Sequence, residues 1–135
     1  MDIVSPLLCL IAGGCGYLAV TFWMQPILRY IQIRFEVTSD VVFYANVINP
    51  RLVNDRLKER HEAGSEAHRR HAAEIVACFY RLPRWYRFIL RRRGEDPLTA
   101  SRNLVGLSNC SNAREAEPYV RFLKESLRIP QENGA

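Results

Sequence analysis

The sequence predicts an all-α protein: one N-terminal membrane-spanning helix followed by a small cytoplasmic domain of about four helices. Three observations lead there. No charged side chain occurs from Ile3 to Leu28. Apolar residues further along recur mostly at three, four or seven positions, the period of a half-buried helix, and no stretch alternates as a strand would. Prolines and capping side chains mark successive helix starts. The expected division is a membrane anchor over 1–28 with its span at about 3–24, a helical domain over 29–130 and a flexible tail over 131–135. About 105 residues beyond the anchor suffice for one modest core and not two. There is no internal repeat, low-complexity tract or long linker.

About 20 apolar residues at roughly 1.5 Å each cross a ~30 Å hydrocarbon core, which the first segment supplies. Pro6 lies in the first turn, where a helix tolerates it, and Phe22, Trp23 and Tyr30 stand where an interfacial aromatic belt belongs. Asp2 is the only charge before the span, whereas Arg29 and Arg34 follow it closely. The positive-inside rule therefore places the N-terminus outside and the domain in the cytoplasm. Three rivals fit less well. A cleaved signal peptide needs a basic n-region, which is absent, and a shorter apolar core. Lipid attachment at Cys15 needs a better lipobox than Ala12-Gly13-Gly14. A buried soluble helix seldom runs so far without a charge.

Within the span, Cys9/Gly13 and Ala12/Gly16 are small-xxx-small pairs, so Ala12, Gly13 and Gly16 are the expected contacts if two spans associate. The plainer reading is that glycine is common in spanning helices. Cys9 and Cys15 in the span and Cys78 and Cys110 in the domain form no CxxC pair, so reduced thiols are expected rather than a disulfide framework or zinc site.

Beyond the anchor, Gln25-Pro26 marks a kink or the end of the span. Apolar residues from Ile27 to Ile48 then predict an amphipathic helix that either starts anew or continues the span. Asn49-Pro50 reads as the cap of a helix to about Tyr80, interrupted near Gly64-Ser65, with only Ala72 to Tyr80 resembling core. Pro83 opens a short segment closed by Arg91-Arg92-Arg93-Gly94. Asp96-Pro97 starts a helix to about Ser108. Asn112 and Glu115 form a capping box for a last helix, unless Pro118 delays its start; Ala116, Val120, Leu123 and Leu127 share one face.

Net charge is +5, and all but two of the 19 basic residues are arginine. Coding bias explains such a preference, yet arginine is also the better fork for phosphate and carboxylate. The densest cluster is Arg81, Arg84, Arg87, Arg91, Arg92 and Arg93 interleaved with Trp85, Tyr86 and Phe88. Arg84, Trp85, Arg87, Arg91, Arg92 and Arg93 are the candidate contacts with anionic lipid headgroups or an acidic protein partner. The same composition suits nucleic acid. A third reading makes Trp85, Tyr86 and Ile89 core, with the arginines solvating the outer face.

His61, His68 and His71, with Glu62 or Glu74, raise a metal reading, but nearby Arg60, Arg69 and Arg70 repel a cation, so a solvated helix face is expected. Gly106-Leu107-Ser108-Asn109-Cys110 reads as a helix C-terminus, since a nucleophile elbow needs a strand-to-helix turn and glycine at position 110. No catalytic residue, metal ligand, cofactor or small-molecule substrate is expected.

Phe43-Tyr44-Ala45-Asn46-Val47-Ile48, Ala73-Glu74, Trp85-Tyr86-Arg87 and Asn103-Leu104-Val105-Gly106-Leu107-Ser108-Asn109 together give a pattern that resembles short bacterial membrane proteins of unassigned function. The resemblance covers nearly the whole chain. It implies a small bacterial inner-membrane protein and transfers no activity or ligand. The resulting expectation is a non-enzymatic, membrane-anchored interaction module. Its rivals are a membrane-perturbing effector acting through oligomerised spans and a basic nucleic-acid-binding domain.

Overall fold

A computed structural model describes residues 4–45 and 55–129. Among them every regular element is helical. Helix α1 (Val4–Ala19), a π-helical turn (Val20–Met24) and α2 (Gln25–Ala45) run on as one rod, and α3 (Asp55–Arg81), α4 (Arg84–Arg92), α5 (Pro97–Ser108) and α6 (Ala113–Ser126) fold against its second half. The protein is all-α, with one N-terminal helix long and apolar enough to cross a membrane: 41 residues from Val4 to Tyr44, whose most apolar stretch has no buried residue. The domain does not cover that stretch, so it is not the buried helix of a soluble core.

Pro26 accounts for the π turn. A proline ring inside a helix clashes with the carbonyl four residues back, here that of Phe22, and lacks the N–H that would bond it. The preceding turn widens instead, so that the Gln25 N–H donates to the Val20 carbonyl, five residues back. Gln25-Pro26 therefore does not end the helix. The continuing alternative is the one observed.

Tyr30, Ile33, Val37 and Val41 line one face of α2 and are at most 6% exposed. Ile33, Val37 and Val41 pack with Ala72 and Ile75 of α3, Ala100, Leu104 and Leu107 of α5, and Ala116, Leu123 and Leu127 at α6, while Tyr30 joins Phe79, Leu82 and Leu90. The predicted face of the last helix is thus buried, with Val120 at its edge. Each fully buried leucine contributes about 1.5–3 kcal/mol relative to exposure.

Three local expectations change. Helix α3 runs unbroken through Gly64-Ser65. A Cβ at Gly64 would lie 2.8 Å from the Tyr44 ring, so this glycine admits a close crossing of α2 and α3. The buried face of α3 begins there and continues through His68, His71, Ile75 and Phe79, well before Ala72. Helix α6 starts at Ala113 and holds Pro118 internally, because the Asn112 side chain accepts from the Glu115 N–H at 2.9 Å and fixes the earlier start. The start of α5 is as expected: Asp96 caps Leu98 and Thr99 with Pro97 at the first helical position. The Asn49-Pro50 cap, the last residues to Ile48 and the tail from 131 lie outside the described residues.

Candidate functional site

Helix α4 ends in a Schellman turn: the Glu95 N–H donates to the Leu90 carbonyl at 2.9 Å and the Gly94 N–H to that of Arg91 at 3.0 Å, with Gly94 at φ 72°. Its inner side presents Leu90 to Tyr30, Phe79 and Leu82, with Tyr86 and Ile27 packed against them. The Tyr30 and Tyr86 rings meet edge to face, centroids 6.5 Å apart. The helix is therefore fastened to the first turns of α2, a few residues from the π turn, at the end of the domain nearest the candidate span.

Its outer side is left bare. Trp85 is 50% exposed, Phe88 60% and Ile89 38%, and Tyr80 beside them is 65% exposed. This overturns the reading in which Trp85, Tyr86 and Ile89 form core: Leu90 is the buried residue of α4, and Tyr86 is half-buried. Positions 85, 88 and 89 share one helical face. Arg84, Arg91, Arg92 and Arg93 flank them and are exposed. The Arg92 guanidinium lies 5.7 Å from the Phe88 centroid and that of Arg87, half-buried, 5.8 Å from Phe79. Of the six residues singled out in the sequence, five thus lie on one short helix and the sixth, Arg93, is its C-cap.

Glu95 ties this helix to α2 and escaped sequence reasoning. Its side chain is 1% exposed, 3.4 Å from Arg34 and 3.8 Å from Arg93. The Tyr30 hydroxyl donates to it at 3.3 Å. Burial, then the neighbouring Glu95 charge, raises the Tyr30 pKa above its ordinary value. Arg34 also donates to the Arg128 carbonyl at 3.1 Å, joining the end of α6. A buried carboxylate needs such partners. Nothing in Gly94-Glu95-Asp96-Pro97 distinguishes Glu95 from a solvated turn residue.

The histidines also depart from expectation. His68 and His71 are 4% and 3% exposed, so the solvated-face reading fails for both. His71 Nε2 lies 2.8 Å from Asp40 Oδ2, and the His68 ring packs edge-on to Tyr44. Burial, with a smaller contribution from His71, lowers the His68 pKa against the opposing pull of Asp40. A His71 ring nitrogen and carboxylate oxygens of Glu36 and Glu74 lie within 4.8 Å of one another. Arg29 bridges the two glutamates, at 3.7 and 3.1 Å. His61 stays apart, half-buried on the distal part of α3.

Gly106 to Asn109 form the C-terminus of α5, as expected. The Ser108 hydroxyl donates to the Val105 carbonyl at 2.7 Å and accepts from Arg69, which also donates to Asn109. No histidine or carboxylate is hydrogen-bonded to that hydroxyl among the described residues. The hydroxyl is engaged in joining α5 to α3. On the candidate span, Ala12, Gly13 and Gly16 are exposed, and a Cβ on either glycine would meet nothing within 4 Å. All four cysteines are free thiols, and burial raises the pKa of Cys78 and of Cys110.

No protein-family model matches the chain, and neither does any curated protein or solved structure.

Proposed function

We propose that this is a non-enzymatic interaction module anchored in a bacterial inner membrane, N-terminus outside, whose α4 lies on the anionic headgroups of the cytoplasmic leaflet. One observation carries the reading: the arginine-aromatic helix packs on Ile27 and Tyr30, directly after the candidate span, with Trp85 and Phe88 bare. A helix with an aromatic face flanked by basic residues settles in the interface plane, each arginine near an anionic surface contributing about 1 kcal/mol. The tether removes the cost of finding that surface. The same placement favours lipid over nucleic acid, because α4 packs on Ile27 and Tyr30, beside the candidate span, where an anionic surface is least screened from its arginines. Arg29 and Arg34 after the span, against Asp2 before it, support the orientation. Ala12, Gly13 and Gly16 offer a surface on which a second span can pack closely.

The test uses the full chain with Trp23→Phe, so that Trp85 is the sole tryptophan, in nanodiscs carrying headgroup-depth quenchers. Quenching stronger in anionic than in zwitterionic discs, and reduced when Arg91, Arg92 and Arg93 are changed together to Glu, is the expected result. Trp85 emission open to an aqueous quencher in both lipids contradicts the placement.

A further inference from the structure

We infer that Glu36, His71 and Glu74 form a binding site for a divalent transition-metal ion, zinc fitting best, for which the Arg29 guanidinium competes. The three donors come from α2 and α3 and already lie within 4.8 Å of one another. Tetrahedral zinc with bonds of about 2.0–2.2 Å holds its donors roughly 3.4 Å apart, so the carboxylates need move inward by only about an ångström.

His71 supplies the independent observation. The ring is 3% exposed. Its Nε2 faces Asp40 at 2.8 Å, while Nδ1 is buried without a hydrogen-bond partner. An ionised carboxylate only accepts, so in the neutral ring Nε2 carries the proton and Nδ1 a lone pair. A carboxylate orienting one ring nitrogen while the other binds metal is the usual outer arrangement of a histidine ligand. Left unpaired, a buried polar atom loses its hydration without compensation.

Arg29 shows that this pair of glutamates already attracts a cation. Its guanidinium stands 3.7 Å from Glu36 and 3.1 Å from Glu74, and its side chain is 45% exposed, so it has solvent to swing into. Imidazole with two carboxylates suits zinc or ferrous iron better than calcium or magnesium, which prefer oxygen alone. Three protein donors leave a fourth position for water, and a bound ion would cross-link the rod to α3. Sequence spacing alone does not find this site, because Glu36 lies on a different helix from the histidine run.

The experiment takes the full chain in detergent micelles, stripped with chelator, and titrates zinc by calorimetry, with cobalt(II) absorption in parallel. Expected are one ion per chain, a raised melting temperature, and a cobalt spectrum of nitrogen and oxygen donors without a thiolate band. Glu36→Gln with Glu74→Gln, near-isosteric and independent of whether a His71 variant folds, abolishes uptake. Asp40→Asn weakens it by about 10- to 100-fold, and Arg29→Gln tightens it. No uptake by the unaltered chain, a thiolate band, or unchanged binding in the double glutamine variant overturns the inference.

Discussion

The two halves of the long helix differ in one respect that decides their surroundings. From Val4 to Ala19 no residue is buried, and Leu10 and Tyr17 are at least 70% exposed. From Arg29 to Val41 the same rod buries Tyr30, Ile33, Val37 and Val41 on one face and carries Arg29, Arg34, Glu36 and Asp40 beside it. The first half is apolar all round and so has no direction in which to pack a small domain. The second is striped, and its stripe selects α3 and α5. Apolar content alone does not make a core; asymmetry around the helix does. Pro26 sits between the halves, and its π turn lets one helix serve both.

The largest expected effect breaks the first half alone. Leu10→Arg with Ile11→Arg costs about 2.5–3.5 kcal/mol per residue for insertion, so the chain leaves the membrane fraction while its domain melts as before. Loss of the folded domain together with the membrane association would show that the halves are not independent. Next, Ile33→Ala lowers domain stability by about 2–5 kcal/mol in denaturant titrations, while Ile11→Ala leaves it unchanged. Equal losses would mean that the domain covers the first half after all.

Much of this architecture is readable locally. Asp96-Pro97, Asn112 with Glu115, and the Leu123/Leu127 face each act within a turn or two, and the structure has them as the sequence implies. What escaped reading depends on partners remote in sequence. His68 and His71 sit among arginines, so their neighbours suggest solvent; only Asp40 and Tyr44 from another helix make them interior. Glu95 reads as a turn residue until Tyr30 and Arg34 close over it. Gly64 looks like a breaker because nothing nearby reveals the Tyr44 ring that requires it. Trp85 and Ile89 mislead oppositely, as large apolar residues that the domain leaves outside.

Smaller effects sharpen the account of the domain. Asp96→Ala costs about 1 kcal/mol through loss of the cap on α5. The hydrogen bond from the Thr99 hydroxyl, then the Thr99 and Leu98 N–H groups, holds the Asp96 pKa below its ordinary value. Its contribution is therefore present above the unfolded carboxylate value of about 3.9 and is lost as pH falls through the folded one. His68 acts at higher pH. Because its folded pKa is lowered, the unfolded chain binds more protons, and stability drops as pH falls below about 6.5. Melting temperatures across pH 8 to 5 in the unaltered chain and in His68→Gln check this. The variant should lose that part of the slope, and an identical slope would assign it elsewhere.

The central claim is that the bare half of the rod crosses a bilayer and sets α4 on its surface. Nitroxide labels at positions 11, 88 and 114 in anionic nanodiscs test it in one measurement of collision with oxygen and with a water-soluble nickel chelate. The account predicts hydrocarbon depth at 11, headgroup depth at 88 and open water at 114. A label at 88 as accessible to nickel as that at 114, or a label at 11 in water, would contradict it.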